Sequence, residues 1–99
     1  MKQSFVYIMS NFERTTNYIG VTTNLERRVL EHKRGIGSKF TSKYTLKYLI
    51  YFEEIWDIQQ EIDREKQLKN WNRDWKWDLI KKINPELRDL SENWYHKVV

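Results

Sequence analysis

The sequence predicts an α+β domain: a small three-stranded sheet, mixed or antiparallel, flanked by helices in the order β-β-α-β-α-α. Three observations lead there. Runs rich in β-branched and aromatic residues at 4–9, 17–21 and 48–52 are set apart by turn-forming stretches. Segments free of Gly and Pro at 24–34, 57–71 and 72–83 each begin on Asn or Asp, residues that cap helices. A chain of 99 residues supports one core, because so short a chain buries only about 60 to 70 % of its unfolded surface.

Residues 4–9 (Ser-Phe-Val-Tyr-Ile-Met) lack strict alternation, which suits a strand covered on both faces. After polar residues, 17–21 (Asn-Tyr-Ile-Gly-Val) reads as the second arm of a hairpin with a longish loop. A capped helix begins at Asn24 and ends at Gly35 and Gly37, and the run to Tyr44 reads as a polar, basic loop. The third strand follows at 48–52. The helix over 57–71 opens on Asp57 and closes with Lys66 and Lys69, which complement its dipole. Asn72 caps the last helix, which stops before Asn84-Pro85. Residues 86–99 are weakly patterned, with Leu87, Leu90, Trp94 and Tyr95 available to fold back on the body.

With no cysteine, disulfide frameworks, thiolate metal clusters and cysteine nucleophiles are excluded. The apolar stretch near the N-terminus is far below the roughly 18 residues of a membrane span, so no membrane partner and a cytoplasmic location are expected. From residue 27 to residue 47, seven Lys or Arg (27, 28, 33, 34, 39, 43, 47) stand against one acid, Glu31, while the whole chain carries only +4. Such a local cluster is an electrostatic footprint for a polyanion, with a solvated basic surface as the plain alternative.

At about 100° per residue, Leu25 and Val29 mark the buried stripe of the first helix, with Arg28 and His32 on its flank. Arg27 and Glu31 point away as an exposed pair. An inward basic pair calls for a nearby anion, unless the arginine merely snorkels over the sheet beside a satisfied histidine. On the 57–71 helix, Ile58, Ile62, Glu65 and Leu68 share one predicted face, placing Glu65 within an apolar stripe. A carboxylate there needs a cation, either a metal or a structural partner such as Arg28. Trp71, Trp75 and Trp77 cluster near a helix junction, and core packing or a stacking surface would explain them.

Val6-Tyr7-Ile8, Tyr18-Ile19-Gly20, the 24–32 helix with Arg28 and His32, and the 64–69 segment with Glu65 occur in the order seen in the GIY-YIG nuclease superfamily. The resemblance is to its small single-domain bacterial members of the URI-domain endonuclease kind. It spans roughly 4–85, which assigns 1–85 to a nuclease domain and 86–99 to a C-terminal extension packed on it. The first tripeptide keeps only its central tyrosine, and Val21 stands where some relatives place a lysine that assists the tyrosine.

The resemblance implies the GIY-YIG fold and a divalent-metal-dependent endonuclease acting on nucleic acid, DNA rather than RNA. Glu65 would hold one ion, Mg²⁺ or Mn²⁺, and Arg28 would stabilise the pentacovalent phosphorane. Tyr7 would take the water's proton, with Tyr18 and His32 positioning water and phosphate. Gly20 would let backbone approach the substrate, and Lys33, Arg34, Lys39, Lys43 and Lys47 would track the phosphate backbone. Asn84 either supports the site or simply ends its helix. Target preference would come from this domain or a protein partner. Two other readings stay open: a non-catalytic nucleic-acid-binding module, and a tyrosine acting as covalent nucleophile.

Overall fold

Three short strands can bury two helix layers only if the middle strand is covered on both faces, and β1 is that strand. The computed structural model describes residues 3–95. β1 (Ser4–Ser10) lies between β2 (Asn17–Thr22) and β3 (Tyr48–Ile55), in the order β2-β1-β3, and both pairings are antiparallel. The four helices are α1 (Leu25–Lys33), α2 (Lys39–Lys43), α3 (Ile58–Asn70) and α4 (Arg73–Ile83). Alternation along β1 sends Val6 and Ile8 to one face, with Leu68 of α3 and Trp77 and Ile80 of α4. Tyr7 and Met9 go to the other, with Leu25 and Val29 of α1. A register shift between Ile8 and Met9 on the β3 side leaves Ile50 as an extra residue, so Ile50 and Tyr51 both pack beside Ile8. Among the described residues no helix is long and apolar enough to cross a membrane.

The expected α+β arrangement is present, with three corrections. The run predicted as a loop contains α2, a single turn capped by Ser38, whose side chain accepts from the Thr41 amide. The predicted apolar stripe of α3 does not face the core: Ile58 is 71 % and Ile62 40 % exposed, and only Leu68 is buried. The half-buried face is instead Glu61, Arg64 and Glu65. Arg64 sets this rotation by bonding both oxygens of Glu53 on β3, at 2.6 and 3.2 Å, and lying over the Trp71 ring at 5.6 Å. The third correction concerns Glu31, which pairs with Arg28 at 2.9 Å as well as with Arg27 at 3.4 Å.

Long-range polar ties secure the segment after α4. Asn84 is buried; its amide donates to the carbonyls of Ile50 and Arg88, at 3.0 and 2.8 Å, and its oxygen accepts from the Arg88 amide. That ties β3 to the chain beyond α4 and gives Asn84 a structural task. Asp89 accepts from Lys33 (2.6 Å), the Leu49 amide and Ser91. Leu90, Trp94 and Tyr95 pack on the α1 side of the sheet and Leu87 on the other. Residues 96–99 of the predicted extension lie outside the described residues. Of the tryptophans near the α3–α4 junction, Trp77 is core, Trp71 is half-buried, and exposed Trp75 meets it edge-on at 6.1 Å.

α1 and α2 end in the same motif with different residues. After α1, Gly35 takes φ +78°, its amide donates to His32 and the Ile36 amide to Glu31; after α2, Thr45 takes φ 57°, its amide donates to Ser42 and the Leu46 amide to Thr41. The left-handed conformation costs a residue with a Cβ about 1–2 kcal/mol. Thr45→Gly is therefore expected to raise, and Gly35→Ala to lower, unfolding free energy by about 1 kcal/mol each, read by urea denaturation. Equal destabilisation by both changes would contradict this account.

Candidate active site

A line of buried polar side chains runs from the sheet into α2. The Tyr7 hydroxyl meets His32 Nε2 at 2.8 Å, His32 Nδ1 meets Thr41 Oγ1 at 2.9 Å, and Thr41 Oγ1 meets Ser38 Oγ at 2.9 Å. Tyr7, His32 and Thr41 are all buried. Two glycines make the space. A Cβ at Gly20, opposite Tyr7 in the β1–β2 register, would lie 2.5 Å from the Tyr7 ring and hydroxyl. At Gly37 a Cβ would collide with His32 Nδ1. Gly20 was expected to open backbone to substrate; its immediate surroundings are the Tyr7 ring. Ser38 and Thr41 escaped the sequence reading and Gly37 was read only as ending the first helix, although Ser38 is a residue type that caps helices.

Burial pushes the Tyr7 phenol up to about 12 despite the Arg28 guanidinium beside it, which pulls the other way. Burial, aided by the Arg28 charge, holds His32 down at about 4. Both groups are thus neutral near pH 7. A neutral imidazole has one donor and one acceptor, so a Tyr7 hydroxyl donating to Nε2 leaves Nδ1–H to donate to Thr41. The bond to Arg28 holds the Glu31 carboxyl below its usual range, with Arg27 adding to the effect.

Tyr18, half-buried on β2, brings its ring 6.5 Å from Tyr7, 5.6 Å from His32 and 6.1 Å from Phe40. Tyr7, Tyr18, Arg28 and His32 therefore converge. Glu65 approaches from the opposite face of the sheet, on a helix that packs across β1 and β2. It is half-exposed and accepts from Lys69 at 2.9 Å, which replaces the expected alternative of a pair with Arg28. Lys69, the partner of Glu65, and Tyr18 line one groove at the β2 edge. Among the described residues no group of three or more His, Cys, Asp or Glu is placed to hold a metal. Of the basic residues, Arg34, Lys39, Lys43 and Lys47 are exposed, whereas the Lys33 ammonium is committed to Asp89 and the Lys47 carbonyl.

His32 links this geometry to stability. Unfolded, it takes a proton at its ordinary value of 6.5; folded, only at about 4. Its contribution is therefore complete above pH 6.5 and lost as pH falls toward 4, by at most about 3 kcal/mol. Wild type is expected to lose more melting temperature than His32→Gln between pH 7 and pH 4.5; identical losses would show that His32 is not held neutral.

Comparison with known proteins agrees with this arrangement. The family model described as the GIY-YIG catalytic domain matches residues 3–78. A UPF0213 protein of Syntrophus aciditrophicus is 36 % identical over 87 residues, covering 87 % of this chain and 98 % of its own. One from Natronomonas pharaonis is 37 % identical over 76 residues, covering 77 % and 88 %. One from Clostridium perfringens is 30 % identical over 96 residues, covering 97 % of each chain. No solved structure matches significantly. With three-quarters of its length matched to that catalytic domain and its tyrosines, arginine and histidine gathered at one place, the chain belongs to the GIY-YIG family of nucleases.

Proposed function

We propose that this protein is a divalent-metal-dependent endonuclease that hydrolyses phosphodiester bonds in DNA, using Tyr7, Tyr18, Arg28, His32 and Glu65. The observation that carries this reading is the dry Tyr7–His32 hydrogen bond with a guanidinium alongside: a proton relay beside a fixed cation. Glu65 suits a hard cation. It is a half-exposed carboxylate with one lysine partner, and Mg²⁺ or Mn²⁺ needs only one or two protein carboxylates, filling its shell with water and phosphate oxygens. When bound, such an ion neutralises phosphate charge and acidifies water.

The chain's own residues supply the rest. Tyr7 accepts a proton from the attacking water as it passes its own to His32 Nε2, so the phenol never has to become a free phenolate. That coupling matters, because burial makes the phenolate costly. Arg28 offers its guanidinium to the equatorial phosphate oxygens, where charge grows in the transition state. Tyr18, whose ring meets those of Tyr7 and His32, helps position water and phosphate. Exposed Arg34, Lys39, Lys43 and Lys47 contact phosphates without reading bases.

Glu65→Ala and Tyr7→Phe are each expected to slow single-turnover cleavage with Mg²⁺ or Mn²⁺ by at least about 100-fold on a panel of single-stranded, duplex and branched DNA. Undiminished cleavage by Glu65→Ala would sink the metal-dependent reading. A protein-linked DNA product would point instead to a tyrosine nucleophile, and binding with no cleavage of any substrate by wild type to a non-catalytic module. Because His32 must be neutral to accept the proton, its acid limb in the pH–rate profile is expected near 4. An inflection at the ordinary histidine value, abolished in His32→Gln, would contradict the buried relay.

A further inference from the structure

α2 and its C-cap residue Tyr44 expose two large aromatic rings. The only buried residue of α2 is Thr41, while Phe40 is 43 % and Tyr44 46 % exposed. These rings continue a row of aromatics that begins at Tyr18: Tyr18 and Phe40 lie near-parallel, 28° apart with centroids at 6.1 Å, and Phe40 and Tyr44 are 4.9 Å apart and tilted by 51°. Lysines surround it. Lys43 Nζ sits 5.2 Å over the Tyr44 ring, Lys39 is exposed at the start of the same turn, and Lys69 and Lys76 line a groove of about 320 Å³ with Asn17, Tyr18 and Phe40. Thr41, next to Phe40, is hydrogen-bonded to His32, which fixes the row relative to the catalytic residues.

We propose that Phe40 and Tyr44 form a stacking platform for an unpaired nucleobase next to the scissile phosphate, so that the strand taken by this site is single-stranded or locally unpaired. The inference rests on the nuclease reading and narrows its substrate. Every base presents a π-face, so stacking on an aromatic ring tolerates any sequence, whereas a base inside a duplex already has both faces covered. The lysines meet the phosphates flanking that base. A protein partner with an apolar patch would have to desolvate the same ammonium groups, so the charge favours a polyanionic strand. Asn17, at the wall of the groove, has an amide able to donate to and accept from a base edge.

The test is binding without divalent metal, which separates it from cleavage. Wild type, Phe40→Ala, Tyr44→Ala and Phe40→Trp are titrated with a labelled single-stranded oligonucleotide and with the matching blunt duplex, at several salt concentrations. Alanine at either position is expected to weaken single-strand binding about 5- to 150-fold, with duplex binding and salt slope unchanged, and tryptophan to preserve it. Circular dichroism checks folding; should Phe40→Ala unfold, Tyr44→Ala and Phe40→Trp still decide. Equal losses on both ligands, no loss, or a wild type that binds duplex as tightly as single strand would overturn the platform. Loss of cleavage by Glu65→Ala would persist in all those cases, leaving the nuclease reading intact.

Discussion

The hydrogen-bonded line from Tyr7 through His32 to Thr41 is the constraint around which the molecule is arranged. Three polar side chains are buried in a row, and each is tolerable because the next satisfies it; among the described residues no buried side-chain polar atom lacks a partner. Keeping the line intact dictates much of the surrounding backbone. Gly20 must lack a side chain so that β2 can pass the Tyr7 ring, and Gly37 must lack one so that the chain can turn past the imidazole. Ser38 must start a helical turn there, since that turn delivers Thr41. The five-residue helix is thereby pinned to His32 and Tyr7.

A second constraint comes from the sheet. Tyr7 and His32 lie on the α1 side and the helix carrying Glu65 lies on the other, so the proposed reaction would have to join them around the β2 edge. A three-stranded sheet puts β2 at its border, where Tyr18, Phe40, Lys69 and Lys76 line an open groove rather than an enclosed pocket. An open site gains little by burying a small molecule. It suits a polymer that lies across it and is held by charge along the strand and by stacking, the two attractions that need no enclosure.

How much of this could be read from residues alone follows from how each part is encoded. The strands and the capped helices were legible, because composition and caps are local signals; helical spacing put Arg28 and His32 on one flank, but only the resemblance to the GIY-YIG family joined them to Tyr7 and Tyr18. The inward face of α3 was not. Counting apolar positions favoured Ile58 and Ile62, but the Arg64–Glu53 ion pair and the Trp71 ring rotate the helix, and no periodicity announces a partner eleven residues away on a strand. Asp89 was missed for the same reason: one of three acids in a weakly patterned tail carries no hint that Lys33 and the Leu49 amide await it. α2 was missed because one turn holds too few residues to show a period, and two glycines precede it.

Glu31 brings these threads together. A guanidinium left bare beside a buried phenol would be free to swing away, and one locked in a buried ion pair could not release itself to a phosphate. Glu31 does neither, because it is half-exposed and shares its carboxylate between Arg28 and Arg27. Pairs of this kind are weakly held in water, so in the proposed reaction a phosphate would compete for Arg28 with a partner that loses little. Arg27 bonds the same carboxylate, so Glu31 has a second partner besides Arg28. The two neighbouring arginines are therefore not redundant: Arg27 keeps Glu31 neutralised, Glu31 keeps Arg28 aimed along the Tyr7 side of α1, and Arg28 is left able to meet an anion.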